Sequence, residues 1–257
     1  MALHFSKAVE DQFFSMICLP VDTARQKVLE LNTLVQPETV LNEDTDGFGN
    51  RKLYGCVREP HREFLLRTEG AVETGSALYE EWQDPADIGL VRYQVPTDLT
   101  APGPVLQELF REWAAGAPED PYGKLLYYGR LTGERIRYVP GTTDSRTTAE
   151  QAAALESGVC QDIAHVLIAL LRMAGMPARY TVGLIPGEGE SHAWVEANCR
   201  GYWYGFDPTN QLLVDEGYIK ISHGRDYRDC MISRGIFKNP YALQTMEVSV
   251  SVAQAEE

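Results

Sequence analysis

Apolar and polar positions roughly alternate through the first hundred residues, a period that predicts half-buried β-strands. FFSMICLPV (13–21) is an apolar strand-like run, and DTDGFGN (44–50) is dense in turn formers. KLYGCVRE (52–59) and HREFLLRTEGAVET (61–74) then resume the alternation. VPTDLTAPGP (95–104), rich in Pro and Gly, is the candidate linker. It divides the chain into an expected β-rich domain at 1–98 and a second domain at 99–257.

Beyond the linker the period becomes helical. PVLQELFREWAAG spaces Val105, Leu109 and Trp113 four apart, with Leu106 and Phe110 alongside, as one apolar stripe. TTAEQAAALESG predicts a second helix, with Thr147 or Thr148 ahead of Glu150 as the capping signal. LESGVCQDIAHVLIALLRMAG predicts a third, carrying Ile163, Val166, Leu167, Leu170, Leu171 and Ala174 at spacings of three and four. Gly175 and Pro177 stop it. ARYTVGLI, SHAWVEANC, YWYGFD and LQTMEVSVSV return to strands, so the fold class expected is α+β.

The 257 residues, 44% hydrophobic and 23% charged, suffice for a large buried core. A net charge of -14, spread along the chain, disfavours nucleic-acid and anionic-membrane partners, which need clustered Lys and Arg. The longest apolar run, around Val166–Leu171, is too short to cross a membrane, and the N-terminal residues have no signal-peptide pattern. The five cysteines are odd in number and lack paired short spacings. A disulfide framework or zinc site is therefore not expected, and a reducing cytoplasm is the simplest compartment.

Three residues change this picture. Cys160 falls in the first turn of its helix, after Ser157 or Gly158 as N-cap, where free backbone N–H groups and the helix dipole favour an anion. A lone helical cysteine is ordinarily structural. His192 and Asp207, however, flank NCRG (198–201) in a predicted hairpin. If residues 199–200 form its loop, His192 faces Asp207. If residues 200–201 form it, Asp207 lies one diagonal step away on the same face. Either register brings imidazole and carboxylate together, as a thiol nucleophile in acyl transfer requires.

GVCQDIAHVLIALLRMAGMPARY, SHAWVEA, GFDPTNQ and GRDYRD (224–229) resemble the transglutaminase-like superfamily in its compact bacterial branch. DGFGNRKLYGCVREPHREFLLRTEGAVE (46–73) resembles the N-terminal β-domain that often precedes that core. The resemblance implies a papain-like core with Cys160, His192 and Asp207 as catalytic triad, its helix packed on an antiparallel sheet carrying His and Asp. Gln161, Asp162, Trp194 and Tyr138 are the expected substrate-binding or supporting residues. Trp194 shares the strand face of His192 and either shields the triad or simply packs against the helix. Asp162 either serves the site or only answers the helix dipole.

His165 is expected in the core, His61 as structural, and Cys18, Cys56, Cys199 and Cys230 as plain thiols. PGEGES (186–191) is a flexible connection or a cleft cover. No metal or organic cofactor is implied, and no motif places a side-chain oxyanion donor upstream of Cys160. The expected partner is a peptide, protein or small amide, the expected net reaction hydrolysis, and the competing expectation a catalytically silent peptide-binding or assembly module.

Overall fold

The structure, a computed structural model, describes residues 1–75 and 77–254. Its N-terminal sheet is built from β1 (Ala2–Met16), β2 (Gln26–Gln36), β3 (Asn42–Thr45), β4 (Arg51–Val57) and β5 (His61–Thr74), in the order β2-β5-β1-β4-β3. β1 begins well before the expected FFSMICLPV run. It bends at an irregularity near Asp11, whose φ is +48°, and changes partners there. Ala2–His4 pair with β5 and Gln12–Met16 with β4. Leu3, Phe5, Val9, Phe14, Met16, Leu53, Val57 and Phe64 converge from the two halves into one apolar core. The 44–50 turn forms as expected: an Asp46 carboxylate oxygen accepts from the backbone N–H groups of Phe48 (2.8 Å) and Asn50 (3.0 Å).

Residues 95–104 are not a free linker. Leu99 and Thr100 are buried; the Leu99 carbonyl accepts from Ala149 N, and Thr100 Oγ1 from Arg172 Nη1. Then follow α1 (Pro104–Ala114), α2 (Pro121–Arg135), β6 (Arg137–Tyr138), α3 (Ala149–Leu155), β7 (Ser157–Gly158) and α4 (Cys160–Met173). Thr148 caps α3, but its capping-box partner is Gln151. Glu150 instead reaches across to cap α1, accepting from the N–H groups of Gly103 (3.0 Å), Val105 (2.8 Å) and Leu106 (3.1 Å). That sequence position was a helix-start signal for a different helix from the one it lies on.

β8 (Ala178–Leu184), β9 (Gly187–Gly189), β10 (His192–Cys199), β11 (Tyr202–Asp207), β12 (Leu212–Leu213) and β13 (Ile219–Gly224) come next. Five of them form an antiparallel sheet in the order β12-β11-β10-β8-β13. One face, through Tyr180, Val182, Ala193, Val195, Ala197 and Phe206, packs on α4, whose Ile163–Leu171 stretch is buried. The opposite face is covered by residues 80–93, with Leu90 and Tyr93 against Trp203. Two amides of the N-terminal sheet clamp the edge strand β13: Gln26 bonds the backbone of Lys220, and Asn50 that of His223, each as donor and acceptor.

β14 (Ser233–Lys238) and β15 (Gln244–Glu247) leave the second sheet and pair with β1, so residues 99–257 contribute strands to both halves of the molecule. The expected LQTMEVSVSV strand is in fact two. β15 joins the N-terminal sheet, and β16 (Val250–Val252) pairs with β9.

Candidate active site

Cys160 is the first residue of α4, and its N-cap is Val159 rather than Ser157 or Gly158. Those two residues are extended in β7 and pair in parallel with Arg137 and Tyr138. Val159 offers no side-chain acceptor, so the helix start is held from inside: Asp162 Oδ2 accepts from Val159 N (2.8 Å) and from Thr143 Oγ1 (2.7 Å). Burial pushes the Asp162 carboxyl up, partly offset by these bonds. Asp162 therefore fixes where the helix begins and hence where the Cys160 thiol stands.

The hairpin turns at Arg200 and Gly201, both with positive φ (+56° and +99°), the backbone of a type I′ turn. Val195 faces Phe206 and Cys199 faces Tyr202, the register expected from a loop at 200–201. His192 thus reaches Asp207 diagonally, with Nε2 at 2.7 Å from Oδ2. Asp207 is fully buried and every acceptor position is used. Oδ1 accepts from the N–H groups of Thr209 (2.9 Å) and Asn210 (3.2 Å), and Oδ2 also from Asn210 Nδ2 (2.7 Å) and the Tyr218 hydroxyl (2.8 Å).

Burial works against a charged imidazole, but hydrogen bonds to Asp207 and Cys160, with their negative charge, outweigh it and hold His192 up at about 9. Burial likewise opposes the Asp207 charge, and the His192 partner with the Tyr218 and Asn210 donors brings its pKa below the usual carboxylate range. With Nε2 committed to Asp207, Nδ1 is the nitrogen left for the thiol.

Two clefts meet at this pair, sharing Val159, Cys160, Glu190, Ser191 and His192. The larger, 560 Å³, extends past Tyr138, Pro140 and the 185–189 segment to Val250. The smaller, 240 Å³, runs past Gln161, Tyr180 and Val182 to Met246 and Val248.

Of the expected supporting residues, Tyr138 stands exposed beside the larger cleft. Gln161 lines the smaller, its Nε2 buried without a partner among the described residues. Trp194 lines neither cleft. It packs on the face away from α4, edge-on to Tyr218 at 5.3 Å, so it backs the Asp207 network instead of packing on the helix.

His165 is fully buried against Tyr180, and burial lowers its pKa to about 3. Its Nε2 accepts from Tyr227 N (3.1 Å), which ties α4 to the GRDYRD segment. His61 belongs to the N-terminal sheet, bonded to Gln12. Burial pushes the thiols of Cys18, Cys199 and Cys230 up. The PGEGES loop is not a free connection, because Gly187–Gly189 form β9 and pair with β16.

Two residues of the site were missed from sequence. Asn210 had a local signal, an amide three positions after an Asp-Pro step. Tyr218 had none, since it arrives from the approach to β13 and only the fold brings it to Asp207.

Residues 111–208 match the model of the transglutaminase-like superfamily, and residues 1–73 that of the bacterial transglutaminase-like N-terminal region. The chain belongs to the transglutaminase-like superfamily. An uncharacterized protein of Mycobacterium leprae is 30% identical over 85% of this chain and 84% of its own length. An uncharacterized protein of Mycobacterium tuberculosis is 29% identical over 98% and 90%. The fold is shared with a Cytophaga hutchinsonii protein described as a "Putative Cysteine Protease", with TM-score 0.80 and 24% identity, covering 100% of this chain and 90% of that one. Among the described residues no helix is long and apolar enough to cross a membrane.

Proposed function

We propose that the protein is a cysteine-dependent acyl-transfer enzyme acting on peptide or other carboxamide bonds, with Cys160 as nucleophile, His192 as acid–base and Asp207 as orienting carboxylate. The observation that carries this reading is the saturated Asp207 holding His192 by one nitrogen while the other is left for a thiol at a helix start.

The Cys160 thiolate attacks the carbonyl carbon, and the tetrahedral oxyanion takes donors from the Cys160 and Gln161 N–H groups, the first two of α4, which precede the first bond to the Val159 carbonyl. His192 gives its proton to the leaving amine as the C–N bond breaks, leaving a thioester on Cys160. Water then attacks the thioester, losing its proton to His192, and releases acid and thiol. An amine in place of water would give a new amide. We favour hydrolysis, since no residue set among the described residues marks a dedicated amine site, and a reducing compartment such as the cytoplasm, since all five cysteines are free and the chemistry needs a thiolate.

Mass spectrometry of a peptide library incubated with wild type and Cys160→Ser, with and without added amine, tests the reading. Cleavage or deamidation products from wild type alone are expected. Equal product from both proteins, or none from either, would favour the silent binding module.

A further inference from the structure

β9 lies in the loop that delivers His192, and β16 adds to it in antiparallel register, Val250 facing Gly189, Ser251 facing Glu188 and Val252 facing Gly187. On the way there the chain passes the nucleophile. Met246 and Val248 line the smaller cleft and Val250 the larger, and both clefts are bounded by Cys160 and His192. Residues 246–250 therefore cross the mouth of the site in extended form.

The alternation is regular. Val248, Val250 and Val252 are half-buried toward the protein, while Ser249 and Ser251 are exposed. Before it, Gln244–Glu247 are anchored by pairing with β1, but Leu243 to Glu247 are exposed, and β9 is exposed throughout. An extended backbone laid on a strand edge, with every second side chain toward a cleft, is how a polypeptide ligand is bound by strand addition.

Resting on the acyl-transfer reading above, we propose that the Gly187–Gly189 edge is the polypeptide-binding edge of this site, that it takes an extended segment with small β-branched aliphatic residues at alternate positions, and that the chain's own Val248–Val252 occupies it until such a segment replaces it. Main-chain bonds to β9 supply sequence-independent attachment, and the valine positions supply selectivity. The tether puts the tail at an effective concentration on the order of millimolar, so it competes with substrates without tight contacts.

Binding is measured by fluorescence anisotropy with a labelled peptide of the sequence of residues 247–254, EVSVSVAQ. The proteins are Cys160→Ala in the full chain, the same variant lacking residues 248–257, and the full chain carrying Cys160→Ala with Val250→Asp. The two tail variants should bind the peptide about tenfold more tightly than the full chain, as expected if the tail occupies the edge nine-tenths of the time. A peptide with Asp for each Val should bind none of them. Equal affinity across the three proteins, or no binding to either tail variant, overturns the proposal. Val250→Asp keeps the full length, so a folding failure of the shortened chain leaves the answer intact. Because Cys160 is absent throughout, the outcome is independent of whether the site performs acyl transfer.

Discussion

His192 and Glu196 project from the same face of β10, and each is half of a buried ion pair, but the two ends of the strand are finished differently. At the Glu196 end the charges close on themselves. Glu196 Oε2 accepts from Arg179 Nε (2.5 Å) and Lys220 Nζ (2.7 Å), and Glu80 Oε2 accepts from Lys220 Nζ (2.6 Å) and Arg179 Nη2 (3.0 Å). The guanidinium also lies 4.1 Å over the Trp203 ring. These two cations and two anions are buried and mutually paired, with the exposed Glu81 as a further partner 3.6 Å from Arg179 Nη1, and the cluster fastens residues 80–93 to the sheet. At the His192 end the carboxylate is equally saturated, but the other side of the imidazole turns to Cys160 where two clefts join. A closed buried charge network holds structure; one with a single open position facing a cleft is equipped for proton transfer.

Paired substitutions break this contrast most strongly. His192→Ala should reduce activity by about 10³-fold or more, with a stability loss smaller than that of Glu196→Ala because Asp207 keeps its contacts to Thr209, Asn210 and Tyr218. Glu196→Ala leaves two buried cations to share the Glu80 carboxylate and should cost about 3–5 kcal/mol of stability, a fall in melting temperature on the order of 10 °C. Activity assays and thermal denaturation of both variants check this. A large stability loss for the first with little for the second would reverse the assignment.

The two ends should also separate by pH. His192 is held at about 9, above the ordinary histidine value, so the folded state binds its proton more tightly than the unfolded chain does. The pair's stabilisation is complete below about pH 6.5 and is lost as pH rises through about 9. The urea midpoint difference between wild type and His192→Gln should therefore shrink on the alkaline side. Burial alone would push Glu196 up, but Arg179 and Lys220 hold it below the usual carboxylate range. Its contribution is present above that range and lost on acidification, so the difference for Glu196→Gln should shrink below about pH 4.

The smallest effect sharpens the role of Tyr218. Its hydroxyl shares Asp207 Oδ2 with His192, so Tyr218→Phe removes one bond worth about 1 kcal/mol, roughly fivefold in kcat/KM. It also concentrates carboxylate charge on the imidazole. The alkaline limb of kcat/KM should move to higher pH, a shift that a merely structural tyrosine would not produce.

What the sequence disclosed follows from the range of the forces involved. The α4 stripe, its stop at Gly175 and the hairpin parity are local patterns, and the expected placement of Cys160, His192 and Asp207 rested on them. α2 was not anticipated; it carries three glycines, Gly123, Gly129 and Gly133, within its length. At Gly129 the reason is tertiary: a Cβ there would lie 2.5 Å from the Phe206 ring, so the glycine lets the helix approach the strand that ends in Asp207. The return of β14 and β15 to β1, the reach of Glu150 to α1 and the arrival of Tyr218 at Asp207 join distant residues and leave no local period to read. Trp194 was placed on the correct strand face, but which layer covered that face depended on residues 80–93, whose role no pattern announced.

The central claim is that His192 activates Cys160, and the rate of Cys160 alkylation by iodoacetamide near pH 6, in wild type and His192→Ala, tests it most directly. The account predicts labelling faster than that of a model thiol in wild type, and a rate reduced to the model-thiol value in the variant. Labelling of wild type no faster than a model thiol, unchanged by His192→Ala, would contradict it.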